Sequence, residues 1–165
     1  MLFNSIEFLF LYLPVLLFIF FWISRFSHRL AATWLTAGSL FFYAWWNPAY
    51  VGLLIGSIFF NYLVGYALAL GNDVGSSRRK HLLFLGIGGD LALLGYYKYA
   101  NFFISTLNTS LGFSYEFTEV ILPLGISFFT FTQIAFLVDA ARGKAKEFDF
   151  IHYSLFVTYF PHLIA

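Results

Sequence analysis

The sequence predicts an all-α membrane protein with about five or six membrane segments. Hydrophobic residues make up 61% of its 165 residues and charged residues only 10%. A typical soluble domain is about half apolar and about a quarter charged. Long apolar runs alternate here with short polar stretches rich in arginine and lysine. A water-soluble fold of this length could not bury so much apolar surface, so we expect lipid to be the solvent and no soluble domain to be present.

Six apolar runs define the predicted segments, and turn residues separate several of them. Pro14 lies inside the first run, which a membrane helix tolerates better than a soluble one. Asn47-Pro48 predicts a tight turn, because proline disfavours helix at the residue before it. The fourth run is short, and we expect the mixed stretch 101–117 after it to lie at the surface or in the membrane interface. The runs are 8–23, 30–46, 49–70, 82–97, 121–138 and one from about residue 150 onward.

The basic residues predict the topology. Eight of the nine arginines and lysines fall in three loops that share one side if each run crosses the membrane once, and only Lys98 falls on the other side. The positive-inside rule then places these loops in the cytoplasm and the N-terminus outside. Aromatic residues at the opposite ends of the runs, Tyr43 among them, are expected at the outer interface. The N-terminal run lacks a preceding basic residue and a small-residue cleavage site, so we interpret it as a retained span.

Composition also limits the chemistry and the partners. The chain has no cysteine, which excludes disulfides and thiolate chemistry. Its net charge of +1 indicates no nucleic-acid partner. Asp149 and His152 could meet on one helical turn, but a third convincing metal ligand is missing. We therefore predict no metal site and no bound cofactor.

Asp90 is the most unusual residue within the apolar runs. It follows the sequence GIGG, whose glycines would let another helix approach closely. One interpretation is a proton-carrying or substrate-binding group in a cavity. The other is a structural hydrogen-bond partner, for example of Asn61 on the third run. The glycines do not form a dinucleotide-binding motif, because their spacing differs and no strand precedes them.

Ser127, Thr130 and Gln133 recur every three residues on the fifth run and so share one helical face. Such a stripe should face the interior of the bundle. It either lines a substrate path or forms interhelical hydrogen bonds worth about 0.6 kcal/mol each. Pro123 and Gly125 predict a broken or re-entrant start of this segment.

The histidines offer one candidate for catalysis. His28 and His81 adjoin basic loops and are interpreted as interfacial. His162 is a candidate catalytic base, since histidine suits proton transfer near neutral pH. The alternative is a hydrogen-bonded histidine at a helix end broken by Pro161. No Ser-His-Asp arrangement can be argued from these positions.

Four stretches carry a family likeness: FYAWWNPAYVGLLIGSIFFNYLVG from residue 42, LLGYYKYANFF from 93, LPLGISFFTFTQIAFLVDAARG from 122 and YFPHLIA from 159. In this order they resemble the membrane-bound O-acyltransferase family, and within it the bacterial alginate O-acetylation proteins. The resemblance covers the chain from its first run to its last residue.

This resemblance implies a multi-pass enzyme of the bacterial inner membrane that moves an acyl group, most often acetyl, onto a hydroxyl of an extracellular polysaccharide. It implies a ring of helices around a funnel, an acyl donor as substrate, and extracytoplasmic partner proteins of polysaccharide acetylation. The family's catalytic histidine lies on a later segment and has no counterpart here. We therefore expect residues 1–165 to be the truncated N-terminal part of such a domain, inactive alone.

Two alternatives from other functional classes remain open. A small transporter or channel subunit would use Asp90 and the polar stripe to line a path, although the chain has no paired intramembrane charges and no evident inverted repeat. A non-catalytic membrane scaffold would need a partner protein but none of the intramembrane polar residues.

Overall fold

The computed structural model describes residues 5–70, 77–111, 121–145 and 149–159. These residues form a π-helical turn and six α-helices, and no strand occurs among them. The prediction of an all-α fold is therefore confirmed. The elements are the π-helical turn Phe8–Tyr12, α1 (Leu13–Ser24), α2 (His28–Trp46), α3 (Ala49–Leu70), α4 (Ser77–Leu111), α5 (Ile126–Ala141) and α6 (Phe150–Thr158).

The surface of this bundle is apolar, and part of its interior is polar. Phe10, Phe18 and Phe84 are 78%, 76% and 80% exposed, whereas Asn61 and Gln133 are 0% exposed. In water this distribution would forgo the apolar burial that drives folding, about 25 cal/mol per Å². In lipid it is the expected distribution, because exposed phenylalanines contact hydrocarbon while polar groups must find partners inside. The structure therefore supports a location in a membrane.

Helix length and composition single out α3. Ala49–Leu70 is the one helix within the described residues that is long and apolar enough to cross a membrane. The segments Phe8–Ser24 and Ile126–Ala141 are apolar but shorter.

Helix α4 differs from its prediction. It is one continuous helix of 35 residues, where the sequence suggested a polar loop up to residue 80, a short run 82–97 and a separate surface stretch from 101. The separation was wrong because no proline interrupts this part of the chain, and its polar side chains are satisfied within the helix. The hydroxyls of Ser105, Thr106 and Thr109 all donate to backbone carbonyls three or four residues earlier. Residues 112–117 lie outside the described part.

Two helix starts follow from proline and glycine. The π-helical turn ends two residues before Pro14. The proline ring has no N–H and clashes with the carbonyl four residues earlier, so the helix widens over this turn. Residues 121–125 are not helical, and Gly125 adopts φ 66° directly before α5. The predicted break at Pro123 and Gly125 is confirmed, because a left-handed residue ends regular backbone and glycine adopts it without strain.

The helix ends that carry the basic loops lie at one end of the bundle. Arg29, at the start of α2, forms an ion pair of 3.3 Å with Asp149 at the start of α6. Arg79, in the first turn of α4, donates to the carbonyl of Ala140 in the last turn of α5 at 2.9 Å. This end is called the basic end below.

At the opposite end, the Tyr50 hydroxyl at the start of α3 donates to the Ile121 carbonyl. The Lys98 Nζ lies 3.4 Å from the hydroxyl of Ser127, in the first turn of α5. These contacts are consistent with helices that run alternately up and down.

Arg79 and its neighbour Arg78 give a matched test of the basic end. Arg79 is 8% exposed, whereas Arg78 is exposed. Because an arginine at a helix C-terminus also interacts favourably with the helix dipole, we expect Arg79→Leu to lower the free energy of unfolding by about 1–3 kcal/mol. Arg78→Leu removes the same charge from the same turn of α4 and should change the free energy of unfolding by less than about 0.5 kcal/mol. Equal effects of the two variants on unfolding in detergent would show that the bond to Ala140 does not stabilise the bundle.

The main apolar core lies where α2, α3, α5 and α6 meet. Its fully buried members include Tyr43, Leu54, Phe129 and Val157. Tyr43 was predicted at the outer interface, and this is wrong: it is 1% exposed, because α6 covers that face of α2. A small residue allows α3 and α5 to approach closely. Gly65 on α3 lies directly against the Phe136 ring on α5.

Candidate functional site

A buried polar cluster of Ser57, Asn61, Asp90 and Gln133 joins α3, α4 and α5. Ser57 and Asn61 are four residues apart, so α3 presents both on one face. The Asn61 side-chain nitrogen donates to the Asp90 Oδ1 at 2.7 Å and to the Gln133 Oε1 at 3.1 Å. It also lies 3.1 Å from the Ser57 carbonyl of its own helix. Asn61 is therefore the hub that connects the three helices.

The orientation of Gln133 follows from this network. Asn61 presents its side-chain nitrogen to Asp90, which suits an ionised carboxylate because such a group only accepts hydrogen bonds. That nitrogen in turn requires an acceptor from Gln133, which presents its Oε1. The same Oε1 accepts a hydrogen bond of 2.6 Å from the Ser57 hydroxyl. The Gln133 carbonyl is thus doubly occupied, and its side-chain nitrogen remains available.

The cluster keeps hydrogen-bonding capacity that the described residues do not use. The Asp90 Oδ2, the Asn61 Oδ1, the Gln133 Nε2 and the Thr130 Oγ1 are buried without a partner among them. A buried polar group without a partner is costly, about 1–3 kcal/mol each. Water or polar ligand groups are the usual partners of such atoms. The cluster therefore has the chemistry of a binding site with one acidic group and no basic one.

A second set of buried hydroxyls extends this polar interior towards α2 and α6. Tyr43 and Tyr153 belong to the same apolar core, and their hydroxyls lack partners in the described part of the chain. The buried hydroxyls of Ser39 on α2 and Ser154 on α6 also lack hydrogen-bond partners among the described residues. Five helices thus contribute polar groups to the inside of an apolar bundle.

The structure places the predicted site residues in different environments. Asp90, Thr130 and Gln133 are all buried at 3% exposure or less, and the predicted hydrogen bond between Asp90 and Asn61 is present. Ser127 shares the α5 face of Thr130 and Gln133 but lies one turn nearer the helix start, where it is half-buried beside Lys98. His162 lies outside the described residues.

Ser57 and Tyr153 were missed by the sequence reasoning. The signal for Ser57 was its spacing of four from Asn61 on a run without charges. Tyr153 carried no such signal, because a tyrosine near a helix start fits the membrane interface equally well.

The three described histidines do not reach the polar cluster. His28, His81 and His152 are all exposed, and each lies near the start of its helix. His152 approaches Asp149 to 4.0 Å, as its spacing allowed. Across residues 5–70, 77–111, 121–145 and 149–159, no three His, Cys, Asp or Glu side chains form a group that could hold a metal ion.

Asp149 organises the start of α6 at the basic end. Its Oδ1 accepts hydrogen bonds from the backbone N–H groups of Ile151 at 2.8 Å and His152 at 3.3 Å, which caps the helix. The bond from Ile151 is the main reason why the pKa of Asp149 is lowered, and the Arg29 guanidinium adds to the effect. A lowered pKa means that the folded state favours the charged carboxylate.

This shift predicts a loss of stability in acid. The stabilisation by Asp149 is fully present above the ordinary aspartate pKa of about 3.9 and is lost as the pH falls through the lower pKa of the folded state. In the variant Asp149→Asn, the new amide side chain could still cap α6 but would not titrate. The difference in melting temperature between wild type and Asp149→Asn should therefore shrink below about pH 4. Parallel melting curves at every pH would contradict this assignment.

An apolar exposed surface around a buried polar cluster is typical of a helical membrane protein, in which polar groups must find partners inside. Comparison with known proteins then identifies its relatives. The chain is 39% identical over 170 residues to the probable alginate O-acetylase AlgI of Pseudomonas putida, covering 100% of this chain and 34% of that protein. It is likewise 39% identical to the AlgI of Pseudomonas aeruginosa, of which it covers 32%. It is 36% identical over 192 residues to a peptidoglycan O-acetyltransferase of Helicobacter pylori, of which it covers 36%.

The resemblance to the membrane-bound O-acyltransferase family, in its bacterial alginate O-acetylation branch, is confirmed over this chain. The chain spans about a third of the length of these curated relatives. No family model matches the sequence, and no solved structure matches it significantly.

Proposed function

We propose that this chain is part of an integral membrane enzyme that transfers acetyl groups to an extracytoplasmic polysaccharide. The names of its relatives support this reaction class, since they are O-acetylases of alginate and an O-acetyltransferase of peptidoglycan. Both named polymers present hydroxyl groups outside the cytoplasm, so the acceptor is a sugar hydroxyl. The donor is an acyl carrier that delivers acetyl, and extracytoplasmic proteins of polysaccharide acetylation are its partners.

The observation that carries the proposal is the polar cluster inside an apolar bundle. Polar and ionisable residues within a membrane are expensive and generally serve a function. Asp90, Thr130 and Gln133 each keep an unused polar atom in the buried interior. Such atoms suit a passage through which polar acetyl-donor or sugar groups are held by hydrogen bonds. Ser127 and Lys98 would lie at the end of α5 opposite the basic end.

Within this reaction we assign binding, and not proton abstraction, to the described residues. Acetyl transfer to a hydroxyl requires a base that takes the hydroxyl proton as the carbonyl is attacked. The described histidines lie on the exposed surface, away from the cluster. None of these three histidines is placed to act as that base. Because the family resemblance implies a catalytic histidine on a later segment, we propose that the base lies outside this chain and that the chain alone does not catalyse transfer.

The membrane arrangement completes the proposal. The basic end, held together by Arg29–Asp149 and Arg79–Ala140, is placed in the cytoplasm, and the N-terminus is placed outside of the inner membrane. The last third of α4 then extends beyond the membrane on the outer side. A span of 35 residues is about 52 Å long at 1.5 Å per residue, well above about 30 Å of hydrocarbon.

Cysteine labelling can test this arrangement, because the chain has no native cysteine. Single cysteines replace Lys80 at the basic end and Leu107 near the end of α4, both exposed. In intact cells an impermeant maleimide should label the Leu107→Cys protein and label Lys80→Cys only after the membrane is permeabilised. Labelling of both from the outside would overturn the topology.

A chimera tests the reaction. The matching third of the Pseudomonas aeruginosa relative is replaced by this chain, and acetyl content of the secreted polymer is measured in a strain without its own enzyme. The chimera should restore acetylation. Gln133→Leu and Asp90→Asn should each reduce it by about tenfold or more, if each loses an interaction of about 1.4 kcal/mol or more with the substrate or transition state. Ser105→Ala, on the exposed part of α4, is the control.

Two results would contradict the proposal. Full acetylation by chimeras with Gln133→Leu and Asp90→Asn, at normal protein levels, would remove the cluster from the substrate path. Acetylation by the 165-residue chain alone would show that it carries its own base.

A further inference from the structure

An open groove lies between α3 and α4 on the outside of the polar cluster. Its volume is about 320 Å³. Apolar side chains and glycines line it, and Ser57 and Asp90 are its polar members. The lining residues are Gly52, Leu53, Gly56, Ser57, Phe60, Gly89, Asp90 and Leu93.

The glycines on the α3 side of this groove have no packing role within the described chain. A Cβ added to Gly52 or Gly56 would meet nothing within 4 Å. By contrast, a Cβ at Gly65 or Gly86 would collide with Phe136 or Leu137, so those glycines serve close contacts inside the bundle. Gly52 and Gly56 are spaced as G-x-x-x-G, the arrangement that lets a second membrane helix approach α3 closely.

The polar members of the groove offer only acceptors. The Ser57 hydroxyl already donates its proton to Gln133, which leaves its lone pairs. Asp90 is 3% exposed, and its Oδ2 has no hydrogen-bond partner among the described residues. Within the described residues, the ion pairs involve the carboxylate of Asp149 and not that of Asp90. A carboxylate buried in an apolar medium is stabilised by a hydrogen-bond donor, and most strongly by a positively charged one.

We propose that this groove binds a transmembrane helix of a partner protein that carries a hydrogen-bond donor, most favourably a lysine or arginine, opposite Asp90. The helix would pack its backbone against Gly52 and Gly56 while the donor reaches Asp90. A second copy of this chain does not fit, because it would bring two Asp90 carboxylates together. The proposal does not depend on acetyl transfer. When such a helix is bound, it occupies the Asp90 Oδ2, and the Gln133 Nε2 and Thr130 Oγ1 remain to hold polar substrate groups.

Synthetic helices in vesicles test the proposal. The labelled chain is reconstituted in phosphatidylcholine vesicles with labelled polyleucine peptides of about 20 residues, whose central residue is lysine, leucine or glutamate. Energy transfer between the labels reports association. The lysine peptide should associate about tenfold more tightly than the leucine peptide, as expected for interhelical polar contacts of about 1–2 kcal/mol. The glutamate peptide should bind less than the leucine peptide.

Variants of the chain separate the two parts of the groove. Asp90→Asn keeps an oxygen for Asn61 but removes the charge, and should abolish the preference for the lysine peptide. Gly56→Leu should abolish binding of the lysine and leucine peptides alike by filling the groove. Gly95→Leu is the matched control, since Gly95 also lies on an open helix surface but does not line the groove; it should bind as the wild type does.

Three outcomes would overturn the proposal. The first is equal association of the lysine and leucine peptides with the wild-type chain. The second is an unchanged lysine preference in Asp90→Asn, or unchanged binding in Gly56→Leu. The third is association of the labelled chain with itself in place of the peptides, which would assign the groove to a second copy.

Discussion

Replacing Asn61 with leucine should lower the free energy of unfolding by about 2–4 kcal/mol. Asn61 is 0% exposed, and its side-chain nitrogen serves α3, α4 and α5 at once. Hydrogen bonds between membrane helices average about 0.6 kcal/mol, so the lost bonds alone account for roughly 1–2 kcal/mol. The remainder arises because Asp90 is left buried without its donor, and a buried polar group without a partner costs about 1–3 kcal/mol. Leucine has the same number of side-chain heavy atoms in the same branched arrangement, so the substitution leaves no cavity.

The measurement is unfolding in mixed detergent micelles, followed by tryptophan fluorescence. Thr132→Val is the matched control on α5, because the Thr132 hydroxyl bonds only to a carbonyl of its own helix. It should change the free energy of unfolding by less than about 0.5 kcal/mol. Asn61→Leu and Gln133→Leu combined should cost less than the sum of the two single variants, since both break the same network. An Asn61→Leu protein as stable as Thr132→Val would show that the cluster does not hold the helices together.

Substitution of Gly65 by leucine should separate α3 from α5 and destabilise the bundle by about 3 kcal/mol. A Cβ at this position would lie 2.3 Å from the Phe136 Cε1, well inside the contact distance. The Phe136 ring cannot easily move away, because it packs on the Tyr153 ring with centroids 4.2 Å apart. The two helices must therefore shift, which also disturbs the nearby polar cluster.

Gly88→Leu is the control for this change. Gly88 lies on α4, where an added Cβ meets nothing within 4 Å. Since leucine is a better helix former than glycine, this variant should be neutral or more stable by up to about 1 kcal/mol. If Gly65→Leu and Gly88→Leu unfold at the same detergent concentration, the close contact between Gly65 and Phe136 does not restrict the bundle.

Both predictions concern the surroundings of the proposed substrate path. Asn61 connects the helices within the polar cluster, and the contact at Gly65 sets how closely α3 and α5 approach beside it. Variants at either position should therefore reduce acetylation by the chimera as well as stability, whereas Gln133→Leu tests the polar lining more directly. Comparing activity at equal amounts of folded protein separates the two effects.

The sequence by itself determined the helical class and most helix limits, and it predicted lipid as the solvent. Apolar runs of this length leave few folds other than membrane helices, and Asn47-Pro48, Pro123 and Gly125 act locally on the backbone, so the starts of α3 and α5 could be predicted from neighbouring residues. The length of α4 could not, because polar residues in 101–111 resemble a loop in composition and yet bond within their own helix. The sequence also indicated that Asp90 and Asn61 could pair.

Only the tertiary structure decided which polar residues meet. Ser127, Thr130 and Gln133 are equivalent by spacing, yet Gln133 joins Asn61 while Ser127 lies beside Lys98. Arg78 and Arg79 are adjacent and identical, yet only Arg79 is buried against α5. Tyr43 is an aromatic residue near the end of its helix, a position typical of the membrane interface, yet α6 covers its side chain. Helix periodicity specifies the face of the helix on which a side chain lies. The partner of that side chain depends on which other helix packs against this face and at what height. Contacts between residues far apart in the chain decide both.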